Sequence, residues 1–299
     1  MVTRGNMPIV RQMEYILKAA YTLISLVIDV FLKGEIKMEK RSSAPGFILS
    51  AILILIATVG LLFLGEGNFG LPGIIVRCVV GIAGVVFMAK IYGVNFKNKG
   101  FFKGLFSFIG LVGVVSCVHN FIAMRTPTDI GFMEALPSVI VMFLLMMAVG
   151  LFEETIYRGV LFNTLRNCLG ESKGRIILAV ILSSIPFGLT HFINLIFYPN
   201  LVVTTTSQVI YAIAGGILYA SIYYITDNFW LVVVLHGLYD FFAGVWACFA
   251  TQAEGIGMPT VDATIMQAAK EAAPDCIIGV IAFIALIVVL NKRQTERED

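Results

Sequence analysis

LPSVIVMFLLMMAVGLFEETIYRGVLFNTL, residues 136–165, decides the fold class. From 136 to 152 the stretch holds no charged side chain, and Glu153, Glu154 and Arg158 then follow inside the same apolar run. A hydrocarbon core of about 30 Å takes about 20 apolar residues in a helix. The stretch therefore reads as a membrane span that carries three ionisable groups.

Working outward, seven further apolar runs bounded by charge, Gly or Pro lie at residues 46–64, 71–94, 101–124, 176–197, 205–226, 228–250 and 276–290. The chain is 59% hydrophobic and 13% charged, about half the charged fraction of a soluble domain, so most of it cannot be a water-exposed surface. Residues 8–33 repeat charge at helical spacing (Arg11, Glu14, Lys18, Asp29) and read as an interfacial amphipathic helix. The expected fold is all-α: a polytopic transmembrane bundle of about eight spans plus that N-terminal helix. Residues 1–45 form a cytoplasmic or interfacial segment, 46–291 the transmembrane domain with its catalytic core at about 136–250, and 292–299 a cytoplasmic tail. The first long uncharged run starts near Phe47, after a basic segment, so insertion is expected to be directed by the chain's own helices without a cleavable signal.

Lys and Arg remain on the cytoplasmic side of a membrane. With eight spans and a cytoplasmic start, 17 of the 21 basic residues fall inside, and only Arg125 and Lys270 fall outside. Both termini are thus expected to be cytoplasmic, in a multi-pass protein of the cell membrane. The net charge of +2 and the absence of a basic, aromatic-interleaved patch exclude nucleic acid as an expected partner. The bilayer is the expected surrounding. Cys78, Cys117, Cys168, Cys248 and Cys276 show no metal-type spacing and read as small packing residues.

Ionisable groups inside a span cost about 2.5–3.5 kcal/mol each on insertion scales, so they need a partner or a function. They concentrate on three spans: Glu153, Glu154 and Arg158 on the fourth, His191 on the fifth, and His236 and Asp240 on the seventh. From the cytoplasmic ends these lie at about 18 Å (Glu153), 22 Å (His191), 12 Å (His236) and 18 Å (Asp240). Side chains four apart share a helix face, which pairs Glu154 with Arg158, Phe187 with His191, and His236 with Asp240. Two adjacent acids cannot both ionise cheaply in a low dielectric. Glu154 is therefore read as the structural partner of Arg158, leaving Glu153 on another azimuth as general base on water. His191 would help hold that water, and His236 with Asp240 would face the developing oxyanion.

Glu-Glu-x-x-x-Arg (Glu153, Glu154, Arg158), Phe-x-x-x-His (Phe187, His191) and His-x-x-x-Asp (His236, Asp240) resemble the three motifs of the CPBP family, also called Abi, which includes type II CAAX prenyl endopeptidases and bacteriocin-processing relatives. The likeness spans about residues 136–250. It implies an eight-helix membrane endopeptidase in which the first-motif Glu activates water with the second-motif His, and the third-motif pair forms the oxyanion site. Prenyl-processing members usually carry Asn where this chain has Asp240. An ionised Asp cannot donate to an oxyanion, so Asp240 would be protonated or would orient His236. Such families have been described both as metalloproteases and as metal-independent glutamate proteases. Two His and one or two Glu are donors that zinc takes, but no His-Glu-x-x-His pair occurs and the donors would converge from three helices. The metal-independent form is preferred, with zinc as the alternative cofactor.

Other features have plainer readings. His119 has no acidic neighbour at helical spacing and reads as a core or interfacial histidine, Arg77 as a snorkelling structural residue, and Phe187 as packing. Pro137 opens the fourth span, while Pro186, lacking an N–H, loosens the fifth just before His191. Residues 251–275 are expected to form an external loop with a short helix. The function expected is hydrolysis of a peptide bond in a membrane-associated peptide or protein. The alternatives are a proton-coupled transporter, for which no inverted repeat is found, and a non-catalytic scaffold or immunity factor. Nothing in the motifs specifies oligomeric state.

Overall fold

The computed structural model describes Ile52 and residues 71–91, 100–251 and 261–298. The expected amphipathic helix at 8–33 and the first span at 46–64 lie outside these residues, Ile52 apart. The described residues are all-helical: α1 (Leu71–Ile91), α2 (Phe101–Leu105), α3 (Phe108–Ala123), α4 (Phe132–Glu154), a π-helical segment (Thr155–Phe162), α5 (Asn163–Leu169), α6 (Lys173–Leu189), a 3-10 turn (Thr190–Ile193), α7 (Asn194–Phe197), α8 (Val202–Thr226), α9 (Phe229–Gly244), a second 3-10 turn (Val245–Phe249) and α10 (Ile265–Glu298).

Among the described residues, six stretches are long and apolar enough to cross a membrane: Leu71–Lys90, Phe132–Leu169, Lys173–Phe197, Val202–Thr226, Phe229–Phe249 and Ile265–Glu296. The protein is an integral membrane protein. Its polarity is distributed accordingly, with Glu154, Arg158 and His236 buried while Val79, Ile82, Leu144 and Val280 are exposed. Apolar side chains turned outward suit lipid, and polar ones turned inward find partners in the bundle.

Three boundaries differ from the sequence reading. The third span is interrupted: Ser107 caps α3 by accepting from Gly110 N at 3.2 Å, leaving a helix of 16 residues after the short α2. The fourth begins at Phe132, so Pro137 lies inside it rather than opening it. The last begins at Ile265, not Cys276, so residues 265–275 extend the span instead of forming a separate loop helix. Thr264 and Gln267 start it reciprocally: Thr264 N donates to Gln267 Oε1 at 2.9 Å and Gln267 N to Thr264 Oγ1 at 3.3 Å, a capping box.

Helix α4 packs between α1 and α9, α9 also meets α3, and α8 lies between α6 and α10. Close contact is licensed by glycine. A Cβ on Gly150 of α4 would lie 2.7 Å from Val233 O and 2.8 Å from Gly237 N of α9, so the two backbones touch one turn from the Glu153–Glu154 pair. The α8–α9 turn is two residues long: Asp227 ends α8 in the left-handed region (φ 50°), and Asn228 caps α9 by accepting from Leu231 N at 2.9 Å. This brings α9, with His236, directly against α8. The chain alternates direction, and contacts at each end agree with that. Lys173 donates to Asn291 at one end, and Asp262 accepts from Val203 N and Thr204 N at the other.

Candidate active site

Glu154 is the centre of the polar interior and has no exposed surface. Its Oε1 accepts from Arg158 Nη1 at 2.9 Å and from His236 Nδ1 at 2.7 Å. The first contact is the i,i+4 pair expected from the sequence. The second, which crosses from α4 to α9, was not. Arg158 also donates from Nη2 to Gly216 O at 3.2 Å, and its guanidinium lies over the rings of Phe187 (4.4 Å) and Tyr219 (5.4 Å). A cation so buried is held by a carboxylate, a carbonyl and two aromatic faces.

With Nδ1 donating to Glu154, the other nitrogen of His236 is turned to the remaining acids. Nε2 lies 3.7 Å from Glu153 Oε2 and 3.4 Å from Asp240 Oδ2. The imidazole is fixed in plane by Tyr219, stacked at 4.8 Å and 16°, and by the edge of Phe187 at 5.7 Å. Glu153 and Asp240 retain 24% and 26% side-chain exposure against 5% for His236. They keep part of their side-chain surface open, and Glu154 does not.

His191 lies in the 3-10 turn that continues from α6, which ends at Leu189 with Pro186 inside its last turn. Its Nδ1 faces two carbonyl oxygens, Phe187 O at 3.1 Å and Gly188 O at 3.3 Å. Both are acceptors, so Nδ1 carries the proton and Nε2 presents a lone pair. Among the described residues no hydrogen bond joins His191 to the other site residues. It reaches them through Phe187, whose ring packs edge-on against both imidazoles. Phe187 is packing, as expected, and it is packing that spaces the two histidines.

The structure therefore brings Glu153, Glu154, Arg158, His236 and Asp240 together, with His191 at the side of the same cluster. Arg77 and His119, given plainer readings in the sequence, and Asp275, left outside the last span, lie nearby. Arg77 is buried rather than snorkelling, donates to Gly73 O at 3.2 Å and lies within electrostatic reach of Glu153. Asp275, placed outside the last span by its sequence boundary, accepts from Tyr239 Oη at 2.9 Å. His119, which has no acidic neighbour on its own helix, lies within electrostatic reach of Asp275 on α10. The Thr264–Gln267 capping signal would have extended α10 and drawn Asp275 into it.

Residues 135–242 match the family model described as type II CAAX prenyl endopeptidase Rce1-like. That stretch is similar to an Rce1-like endopeptidase domain. All six residues singled out from the motifs fall within the matched stretch, whereas Arg77, His119 and Asp275 fall outside it. Neither a curated protein nor a solved structure matches the chain. The Rce1-like domain, in a bundle of apolar helices, supports an intramembrane endopeptidase, a hydrolase, as the general class.

The zinc considered from the sequence can be tested on donor geometry. Among the described residues no group of three or more His, Cys, Asp or Glu side chains is arranged to hold a metal ion. The donors as placed do not fit a metal, and no step below is routed through one.

Proposed function

We propose that the protein cleaves a peptide bond of a membrane-associated peptide or protein within the bilayer, with Glu153 as general base. What supports this reading is the Arg158–Glu154–His236 chain, which ends on an imidazole nitrogen aimed at two partly open carboxylates. Glu153 takes a proton from water, helped by the His191 Nε2 lone pair, and the oxygen adds to the scissile carbonyl. His236 Nε2, when the ring carries its second proton, donates to the oxyanion. Collapse of the tetrahedral intermediate breaks the C–N bond. Glu153 returns its proton to the leaving nitrogen, releasing an acid and an amine. Glu154 and Arg158 are positioning residues that never touch substrate. Asp240, an acceptor 3.4 Å from Nε2, orients His236 rather than donating to the oxyanion. We assign both termini to the cytoplasm of a cell membrane on the distribution of Lys and Arg.

The test is cleavage of membrane-anchored and CAAX-type peptides by purified protein, comparing wild type with Glu153→Ala, His191→Ala and His236→Ala, with and without chelator. Loss in all three variants and indifference to chelator is expected. Chelator inhibition reversed by zinc would replace the glutamate mechanism with a metal-dependent one. Folded wild type that cleaves no peptide would overturn the endopeptidase reading.

A further inference from the structure

A second feature lies away from this cluster, at the end of the bundle where α6 starts and α8 and α10 finish. A half-open crevice of about 400 Å³ is walled there by Lys173, Tyr224, Arg293, Leu290 and Glu171. Glu171 is committed to Arg166, which reaches it through two bonds of 3.1 and 2.8 Å. Lys173 donates to the neutral amide of Asn291, and Arg293 lies 5.1 Å over the Tyr224 ring, where Arg166 also lies at 5.2 Å. Among the described residues neither Lys173 nor Arg293 is paired with a carboxylate. Two cations, each held by an uncharged neighbour, therefore share one crevice with their charge uncompensated.

The depth of the crevice gives it a ligand class. Lys173 begins one candidate span, Thr226 ends another and Glu296 ends a third, so the crevice sits where hydrocarbon gives way to water. That is the level of phospholipid phosphates, and basic pockets between helices at this level bind anionic headgroups. Tyr224 and Leu290 supply an apolar wall on the bilayer side. We propose that this crevice binds the phosphate of an anionic phospholipid, with Lys173 and Arg293 as its two cationic contacts. The site is separate from the proposed chemistry and stands or falls independently of it.

The experiment uses the full chain in phosphatidylcholine nanodiscs containing a minor fraction of phosphatidylglycerol, with retained lipid counted by native mass spectrometry. Wild type retains phosphatidylglycerol selectively. Lys173→Gln/Arg293→Gln retains it about 30-fold more weakly, about fivefold for each charge. Lys292→Gln, outside the crevice and beside Glu296, matches wild type. The charge-preserving Lys173→Arg/Arg293→Lys variant restores retention, which separates loss of the site from loss of fold. Equal retention by wild type and the Gln double variant overturns the proposal. In a second arm, glycerol phosphate or inorganic phosphate is titrated into pure phosphatidylcholine discs. Weak binding is expected, and binding as tight as that of phosphatidylglycerol would overturn the assignment to lipid.

Discussion

Two adjacent glutamates are predicted to fail in opposite ways. Glu154→Gln keeps an Oε1 able to accept from both Arg158 and His236, yet it removes the negative charge opposite an arginine that is only 1% exposed. Stranding a buried cation costs about 3–5 kcal/mol, which corresponds to a fall in Tm on the order of 10 °C for a domain of this size. Glu153→Gln neutralises a side chain that is 24% exposed and lies 3.7 Å from His236. Its Tm should stay within about 2 °C of wild type, while loss of a general base lowers turnover by about 10²–10⁴-fold. Thermal unfolding in detergent, followed by the fluorescence of Trp230 and Trp246 and run beside peptide cleavage, reads both. Glu154→Gln/Arg158→Met should recover most of the lost Tm, because no buried cation is then left unpaired. The reasoning is refuted if Glu154→Gln melts with wild type, if the double variant is not rescued, or if Glu153→Gln turns over within tenfold of wild type.

Gly150→Ala places a methyl 2.7 Å from Val233 O and 2.8 Å from Gly237 N. It should cost about 1–3 kcal/mol and, by parting α4 from α9, reduce kcat by more than it raises KM. Tyr239→Phe removes the donor to Asp275 and should lower stability by about 1–3 kcal/mol; Asp275→Asn, which keeps an acceptor, should lower it less when the two are melted side by side. Asp262, outside the membrane, is pushed up by burial, but hydrogen bonds from Thr204 N, Val203 N and Thr204 Oγ1 outweigh this and hold its carboxyl below the usual range. A depressed carboxyl contributes stability above its unfolded value, near 3.9, and loses it as pH falls through the folded value. The Tm gap between wild type and Asp262→Ala should therefore be constant at neutral pH and close below about pH 4.

What the sequence disclosed was what lies on one helix. Apolar runs placed most of the described helices within a few residues, the interrupted third span and the start of α10 excepted, and i,i+4 spacing paired Glu154 with Arg158 because both sit on the same segment. Contacts between helices were not legible in this way. The Glu154–His236 bond joins residues 82 apart, and helical periodicity fixes a side chain's azimuth but not its neighbour's rotation. Arg77 was read from its position near a span end, where a lysine or arginine can snorkel, yet α1 turns it inward. Asp275 was lost because Lys270, Glu271 and Asp275 lower local hydropathy, so the apolar run starts only at Cys276. The helix itself starts eleven residues earlier, at Ile265, just after its capping Thr264.

The π-helical segment Thr155–Phe162 was not legible either, and it shapes the site. An extra residue in a turn rotates everything beyond it by about 100° relative to the face bearing Glu153 and Glu154. In hydrocarbon, carbonyls freed by such a widening must find donors inside the protein. Two residues just past the segment add side-chain donors there: Asn163 Nδ2 donates to Gly159 O at 2.8 Å, and Thr164 Oγ1 donates at 2.7 Å to Val160 O, which also accepts from Asn163 N. Asn163 Nδ2 also reaches Tyr223 Oη on α8 at 3.1 Å, anchoring the widened turn to the helix whose Gly216 carbonyl receives Arg158. The bare Gly159 lets Met88 of α1 close over the outer side, since a Cβ there would lie 1.9 Å from its Sδ. A side-chain amide, a hydroxyl and a missing side chain thus keep a costly backbone geometry intact inside the membrane.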